Sequence, residues 1–245
     1  MIERTTTYSR DEFLICVLAS LLVGVRSVAV GAASPIPAAA ALLTAHKSAG
    51  KTTAMILGSN SHGPFNDGGP EIFDRAAQGR IDAFFMGGGQ IDGAGNINLV
   101  GTGEYPRSST RFPGSFGTPY LYSLIPRVIL FREEHSKRVL VPEVDFITAA
   151  GNGPAGVHRP GGPYALVTGR ALFLYDRNTR HFVLSSLHPG HTLEEIETNT
   201  GFVFTTSSAL DETPPPSPDA LEMLRGPIRN QLKDVYPEFS SRLHS

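Results

Sequence analysis

The residue types best suited to chemistry lie in the stretch 84–98, which reads Phe-Phe-Met-Gly-Gly-Gly-Gln-Ile-Asp-Gly-Ala-Gly-Asn-Ile-Asn. Its three consecutive glycines, Gly87, Gly88 and Gly89, leave the main chain bare, so that their N–H groups can approach a ligand closely. Amides held in this way stabilise the negative charge that develops on a carbonyl oxygen. The stretch therefore predicts an oxyanion site. The alternative is that the glycines only permit tight packing of strands.

Two nucleotide-binding patterns are incomplete in this chain. The glycine stretch begins like a dinucleotide fingerprint, but Asp92 stands where the third glycine belongs. Segment 49–53 ends like a phosphate-binding P-loop, but Ala45 stands where the first glycine is needed. Neither nucleotide-binding fold is predicted.

Polar residues elsewhere give weaker signals. Ser59, Ser61 and His62 follow a predicted strand, but they lack the glycine-flanked elbow that exposes a hydrolase nucleophile, so loop hydrogen bonding is expected. His188 and His191 are three residues apart in a Pro-Gly turn, with no third ligand nearby in sequence. No metal site is predicted.

Composition narrows the function classes. The chain has 245 residues, with 21 Lys and Arg, 23 Asp and Glu, and a formal charge of −2. This length predicts a single globular domain over residues 1–245. Because no long run carries one sign, nucleic acid is not an expected partner. Cys16 lies in an apolar stretch, and a lone packed cysteine fits a reducing cytoplasm.

The apolar stretch 13–25 has two interpretations. A signal peptide would carry positive charge before it, whereas this chain has Asp11 and Glu12 there. The stretch is also shorter than the ~20 residues that span a bilayer. Ser9 and Glu12 have the spacing of a capping box. We therefore expect a buried first helix and no membrane association.

Helices and strands alternate in the first half, which predicts an α/β fold with an open, mostly parallel sheet, helices on both faces and β-hairpins in the C-terminal half. The expected helices there are Ser9–Val23, Pro37–His46 and Glu71–Ala77. The expected strands are Ser27–Gly31, Thr53–Leu57 and Ile81–Met86. Residues 60–70 read as a long loop.

The second half is richer in β-branched residues. The expected strands are Ser123–Phe131, Arg138–Val141, Asp145–Thr148, Tyr164–Thr168, Ala171–Tyr175 and Phe182–Ser186, of which the last three form two hairpins. A short helix is expected over Glu194–Asn199. A last helix begins after Ser217, with Pro218 at its first position, and runs to about Gln231.

A family resemblance follows from these motifs. Met86–Asn98, with Gly101–Gly103 and Arg111–Ser115 after it, resembles the β subunit of family I coenzyme A transferases, closest to the glutaconate CoA-transferase type. The later segments follow in that family's order; they are 145–148, 161–163, 166–187, 199–202 and 214–225. The resemblance covers most of the chain.

The resemblance implies an open α/β fold and a related α subunit, assembled as an α2β2 heterotetramer. It also implies an acyl-CoA thioester as substrate, with coenzyme A used as a substrate and no permanently bound cofactor. In the transferases, a glutamate of the β subunit attacks the thioester and then carries CoA as a glutamyl thioester, which is covalent catalysis by a carboxylate.

The resemblance places that glutamate at the end of the strand expected over residues 53–57, where this chain has Gly58. Glycine carries no functional group. One explanation is that Glu71, Glu104 or a carboxylate of the α subunit supplies it. The other is that the chain belongs to the branch that hydrolyses a carbon–carbon bond in a cyclic CoA thioester during steroid breakdown, where the α subunit carries the acid.

Site residues are assigned from the resemblance and the glycine turn together. The amides around Gly88 and Gly89 are expected to hold the thioester oxyanion, while Gln90 and Asn96 hold the turn. Five more residues are expected to meet the CoA or acyl group: Ser59, Asn60, His62, Gly114 and Ser115. Three function classes stay open, namely a CoA transferase, a ring-opening hydrolase and a non-catalytic scaffold subunit.

Overall fold

The computed structural model describes residues 7–63, 65, 69–154 and 156–243. The chain forms two compact units, the first made of Met1–Glu71 with Pro214–Ser245 and the second of Ile72–Thr213. No boundary is visible in the sequence, because the division falls in the first turn of a helix and in the proline-rich connector.

Eight α-helices are described, and one π-helical segment, Leu224–Ile228, joins the sixth to the seventh. They are α1 (Arg10–Ser20), α2 (Pro35–Lys47), α3 (Gly69–Ala77), α4 (Thr118–Leu124), α5 (Leu193–Asn199), α6 (Pro218–Met223), α7 (Arg229–Leu232) and α8 (Pro237–Ser240). Among the described residues, every helix is too short or too polar to cross a bilayer.

The described strands are β1 (Ser27–Val30), β2 (Thr53–Ile56), β3 (Ala83–Met86), β4 (Gln90–Ile91), β5 (Ile97–Asn98), β6 (Gly101–Thr102), β7 (Thr110–Arg111), β8 (Arg127–Arg132), β9 (Pro163–Thr168), β10 (Ala171–Asp176), β11 (His181–Leu187) and β12 (Thr205–Glu212).

The first unit begins with the predicted capping box, which is confirmed. The Ser9 hydroxyl accepts from the Glu12 N–H, and the Glu12 carboxylate accepts from the Ser9 N–H. Glu12 is only 2% exposed, and its Oε1 lies 2.7 Å from Nε of Arg225. Burial opposes ionisation of Glu12, but the bonds from Arg225 and Ser9 outweigh it and lower its pKa. Helix α1 is thereby fixed to the π-helical segment Leu224–Ile228.

Helix α2 connects two parallel strands of the first unit. β1 pairs with β2 from Ser27↔Thr53 to Val30↔Ile56. Residues 36–43 of α2 are buried, with four consecutive alanines that allow the helix to lie close to its neighbours. The helix begins at Pro35, two residues before the predicted start, since proline is favoured in a first turn.

The second unit holds a six-stranded stretch of sheet in the order β12-β11-β10-β9-β8-β3. Its β3–β8, β8–β9 and β11–β12 pairs are parallel, whereas β9–β10 and β10–β11 are the two predicted antiparallel hairpins. With the parallel pair of the first unit, this confirms an α/β fold with a mostly parallel sheet.

Two predicted strands of the second unit are wrong, and a third, Ser123–Phe131, is confirmed as β8 (Arg127–Arg132) but was predicted to begin too early. Ser123 lies in α4, because the helix continues to Leu124 and only the residue before Pro126 is extended. The other two are replaced by single bridges: one lies at Leu140, within 138–141, and one at Ala149, a residue beyond the predicted end of 145–148. They bond the short β4–β5 hairpin instead of joining the main sheet.

Strand β12 was not predicted. Its residues, Thr205–Glu212, are mostly polar and exposed, as is typical of an edge strand. The apolar alternation that marks a half-buried strand is missing there, so the sequence carried no strand signal.

The buried side chain of His135 makes stability depend on pH. It is 4% exposed, and its two ring nitrogens bond the hydroxyls of Thr168 and Thr200. Burial, with the nearby charge of Arg170, lowers the pKa of His135 to about 4. Because an unfolded histidine titrates near ~6.5, this stabilisation is complete above that pH and is lost as the pH falls toward the folded value.

We expect acid to destabilise the protein partly through His135. Between pH 7.5 and pH 5, that residue alone should remove ~2 kcal/mol from the free energy of unfolding. His135→Asn should therefore show a smaller difference between urea unfolding curves at these two pH values than the parent chain. His181→Asn, at an exposed histidine, is the control. An identical pH dependence in His135→Asn and the parent would contradict this account.

Candidate functional site

The glycine turn, residues Gly87–Gly89, follows the carboxyl end of β3, whose four residues are all buried. A Cβ on Gly88 would lie 2.4 Å from Cγ2 of Ile97, and one on Gly89 would lie 2.3 Å from the Phe112 ring. Both distances are too short for any side chain. Close packing therefore accounts for two of the three glycines, which agrees with the alternative interpretation of the sequence.

The N–H groups of the turn differ in availability. Gly89 donates its N–H to the carbonyl oxygen of Asn98 at 2.9 Å, so it is not free for a ligand. The role expected of Gly89 as an oxyanion donor is therefore not retained. Gly88 is buried, and within the described residues its N–H has no acceptor. A buried donor without an acceptor costs about 1–3 kcal/mol, and such a group is typical of a site that a ligand or water completes.

The carboxylate of Asp92 closes the chain reversal after the glycines. Asp92 is 3% exposed. Its Oδ1 accepts from the N–H groups of Ala94 and Asn96, each at 3.0 Å, and its Oδ2 accepts from Nδ2 of Asn96 at 2.9 Å. The Gly95 N–H bonds the Asp92 carbonyl oxygen, with Gly95 at a φ of +76°. One buried acid thus determines the path of the whole turn.

The side-chain oxygens of Gln90 and Asn96 accept hydrogen bonds from other residues of the chain. Oε1 of Gln90 accepts from Nδ2 of Asn98 at 2.7 Å and from the N–H of Asp145 at 3.0 Å. Oδ1 of Asn96 accepts from the N–H of Gly151 at 3.0 Å. These contacts position the β4–β5 hairpin and engage both side-chain oxygens.

The turn after β2 contains the position that the family resemblance assigns to the nucleophile. Gly58 has a φ of +87°, a left-handed conformation that glycine adopts readily and other residues do not. The next residue, Ser59, is 6% exposed; its hydroxyl donates to Oδ2 of Asp234 at 2.9 Å and accepts from the His62 N–H at 2.9 Å. That hydroxyl is engaged on both sides, so Ser59 serves the turn as a structural residue.

Sequence reasoning missed Asp234. Its Oδ2 also accepts from the N–H groups of Asn60 and Ser61, at 3.0 and 3.2 Å. Burial opposes ionisation, but the bonds from Ser59 and from these two amides outweigh it and lower the pKa of Asp234. The C-terminal segment thus brings an ionised carboxylate to the turn beside Gly58. No local pattern could have revealed a contact across more than 170 residues.

His62 borders a cavity of about 350 Å³ that is also lined by His46 and Gln231. Nε2 of His46 lies 3.1 Å from Oε1 of Gln231. Nδ1 of His62 is buried and has no hydrogen-bond partner within the described ranges. The cavity belongs to the first unit alone.

The other expected site residues lie in separate places. Glu71 lies in the first turn of α3 and is half-buried, whereas Glu104 is exposed in the loop between β6 and β7. Gly114 has a φ of +105° with open space where a side chain would lie. The carbonyl oxygen of Ser115 accepts from the N–H and hydroxyl of Thr118, before α4.

The two histidines of the Pro-Gly turn bond other groups. His188 is 2% exposed and contacts Thr213 and the carbonyl oxygen of Thr168, while His191 lies 2.8 Å from Glu195. In the part of the chain that the structure describes, no three His, Cys, Asp or Glu side chains come together as metal ligands.

Burial raises the pKa of the Cys16 thiol to about 11, so it is protonated at neutral pH.

We expect the two glycines at the start of the turn to differ in their tolerance of a methyl group. Gly88→Ala places Cβ 2.8 Å from the Gln90 carbonyl oxygen as well as against Ile97, and should lower the free energy of unfolding by ~1–3 kcal/mol. Gly87→Ala is the matched control, because its nearest contact is 3.5 Å, to the Phe131 carbonyl oxygen. Urea unfolding measures both. Equal stability of the two variants would refute the packing argument.

Asp234→Ala should destabilise the turn after β2, because the Ser59 hydroxyl and two N–H groups lose their acceptor. The expected loss is about 1 kcal/mol, as for other carboxylates that cap backbone amides. Glu238→Ala removes an exposed acid nearby in sequence and should leave the unfolding midpoint unchanged. If both variants unfold at the same urea concentration as the parent, Asp234 does not hold the turn.

Comparisons with known proteins agree with this fold. The chain is 36% identical over 162 residues to the B-type subunit of 3-oxoadipate CoA-transferase from Pseudomonas knackmussii, covering 63% of this chain and 62% of that protein. It is 27% identical over 161 residues to the cholesterol ring-cleaving hydrolase IpdB subunit of Mycobacterium tuberculosis, covering 64% of each. The chain thus spans about three fifths of the length of these curated relatives.

A solved structure shows the same fold. Glutaconate coenzyme A-transferase from Acidaminococcus fermentans superposes with a TM-score of 0.78 at 23% identity, covering 90% of this chain and 95% of that one. The model of the coenzyme A transferase family matches residues 13–199, which include the glycine turn, the Asp92 turn and Gly58. The chain belongs to the coenzyme A transferase family.

Proposed function

We propose that this chain is the β-type subunit of a two-subunit enzyme that acts on acyl-CoA thioesters and transfers CoA between carboxylic acids. Family membership and the similarity to the B-type subunit of a CoA-transferase support this function. The observation that carries it is the buried N–H of Gly88, which has no acceptor among the described residues.

In this proposal, the Gly88 N–H donates to the thioester carbonyl oxygen. Attack on the thioester carbon places negative charge on that oxygen, and a fixed donor stabilises the charge without reorganisation. Donors of this kind contribute ~3 kcal/mol to transition-state stabilisation. The bonds of Asp92 and Gln90 keep the donor in place, so these two are positioning residues.

The attacking carboxylate comes from outside position 58. Gly58 has no side chain, and its positive φ disfavours any other residue. We propose that the α-type partner supplies the acid, while Glu71 and Glu104 of this chain remain candidates. The active enzyme is then an α2β2 heterotetramer, with coenzyme A as a substrate and no permanently bound cofactor.

The substrate class follows from the relatives' names. 3-Oxoadipate and glutaconate are both dicarboxylates, so we propose an acyl group that carries a second carboxylate.

We also propose a cytoplasmic location, because a chain with one protonated cysteine and no disulfide fits the reducing cytoplasm.

A ring-opening hydrolase is the second candidate, and Gly58 favours it. A hydrolase needs no covalent CoA carrier on this subunit, so glycine at position 58 does not impair its reaction. The 27% identity to a ring-cleaving hydrolase subunit supports this branch, whereas the 36% identity to a transferase subunit supports the first. The third possibility, a scaffold without a catalytic part, predicts that changes at the glycine turn affect assembly alone.

Trapping the covalent intermediate tests the proposal. The chain is purified with the protein encoded beside it, incubated with glutaconyl-CoA and acetate, and reduced with borohydride. A transferase should hold CoA on a carboxylate, and borohydride should convert that carboxylate to an alcohol, which peptide mass spectrometry locates. Glu71→Gln and Glu104→Gln identify whether this chain supplies it.

The outcomes separate the candidates. CoA transfer with a trapped carboxylate supports the transferase. With a cyclic CoA thioester in place of glutaconyl-CoA, incorporation of ¹⁸O from water into the carboxylate formed at the cleaved carbon–carbon bond, without a trap, supports the hydrolase. A complex that binds CoA thioesters with full strength when Gly88 is replaced by Pro, and that turns them over at an unchanged rate, would rule out the role of the turn in either.

A further inference from the structure

A positively charged cleft lies where β8 and β9 begin and where β10 turns into β11. We call it the arginine cleft; its cavity of about 240 Å³ is lined by Arg159, Arg177, Arg180, Asn152, Gly153 and Gly162, among others. All its residues belong to the second unit. No carboxylate is among the residues that line it.

Arg159 is the most buried of the three arginines. Its Nη2 donates to the carbonyl oxygen of Ala150, and its guanidinium lies 5.7 Å from the centre of the Tyr122 ring. Its Nε is buried and has no acceptor within the described part of the chain. Burial, together with the positive charge of Arg177, lowers the pKa of Arg159. A donor with unmet hydrogen-bonding capacity and a destabilised charge is thus held at the cleft.

Arg177 and Arg180 add two further charges. Arg177 donates to the carbonyl oxygens of Pro126 at 2.9 Å and Pro160 at 3.3 Å, which fixes its guanidinium at the end of the sheet. Arg180 is exposed, with a φ of +58° at the start of β11. The nearby acid, Asp176, accepts from Asn178 and Thr179 of its own turn. Across the described residues, none of the three arginines forms an ion pair with an acid.

We infer that the arginine cleft binds a phosphate group. Three guanidinium groups around a small cavity without acids attract a dianion, and the planar fork of arginine matches the oxygens of phosphate. Lining glycines let main-chain atoms approach such an anion closely. A phosphate oxygen would also give Nε of Arg159 the acceptor that it lacks.

The arginine cleft and the glycine turn lie at opposite edges of the sheet. Pro126 precedes β8, whereas Gly87 follows β3, and the two strands pair in parallel from Ala83↔Arg127 to Met86↔Leu130. Four strand residues separate these edges by about 13 Å. A phosphate in the cleft is therefore not the reacting acyl group, and the inference does not depend on the proposed function.

Titration calorimetry of the whole chain with inorganic phosphate at low ionic strength tests the inference. Saturable binding at one site is expected. Arg180→Gln should weaken it ~10-fold, because a charge-assisted hydrogen bond is removed at an exposed position without loss of packing. Arg159→Gln should weaken it at least as much. Arg107→Gln, at an exposed arginine outside the cleft, should leave the affinity unchanged.

Two results would overturn the inference. One is the absence of saturable phosphate binding by the folded parent chain. The other is equal weakening of phosphate binding by Arg107→Gln and Arg180→Gln. That result would mean that the affinity depends only on the net charge of the protein and not on the cleft.

Competition then identifies the source of the phosphate group. If coenzyme A displaces phosphate and dephospho-CoA does not, the 3′-phosphate of the substrate occupies the cleft. If neither displaces it, the cleft takes a separate phosphorylated metabolite. Both outcomes require the cleft to bind phosphate, and in both cases Arg180→Gln should weaken that phosphate binding.

Discussion

The buried carboxylate of Asp92 is the constraint on which the site depends. It accepts three hydrogen bonds from Ala94 and Asn96 in a position that is 3% exposed to solvent. A carboxylate so deeply buried is tolerated only when its oxygens are satisfied, so the turn has little freedom to open. Because β4 and β5 are two residues long, this turn decides their register and thereby the position of the three glycines.

That rigidity explains why the amides of Gly88 and Gly89 differ. Gly89 is drawn into the hairpin by its bond to Asn98, and Ile97 packs against Gly88 so closely that no side chain fits there. The chain therefore keeps the Gly88 N–H buried and, among the described residues, unpaired, although pairing it would stabilise the fold. Such a cost at one point of a well-bonded loop is what preorganisation for a ligand requires.

Patterns of short range predicted the fold well. The capping box at Ser9, the hairpins between β9 and β11 and the helix after Ser217 each depend on residues close in sequence, and the structure has all of them. The failures have long-range causes. Segments 138–141 and 145–148 have strand composition, but their partner is a small hairpin outside the main sheet. Strand β12 forms because β11 offers an edge.

The sequence predicted only the part of the site that short-range patterns determine. The glycine turn is contiguous, so its shape could be inferred from residue types alone. Asp234 reaches Ser59 from the far end of the chain, and the arginine cleft gathers side chains from a loop and a hairpin. Contacts of that kind depend on the completed fold, and no local pattern records them.

The environment of the Gly88 amide is the most direct test of this account. In the ¹⁵N-labelled chain assembled with its partner, the Gly88 amide proton should shift downfield when a CoA ketone is added, in which a methylene replaces the thioester sulfur. Coenzyme A without an acyl carbonyl should leave it unshifted. A Gly88 resonance that stays in place while the ketone binds, or that moves equally with both compounds, would contradict the claim that this amide receives the acyl carbonyl.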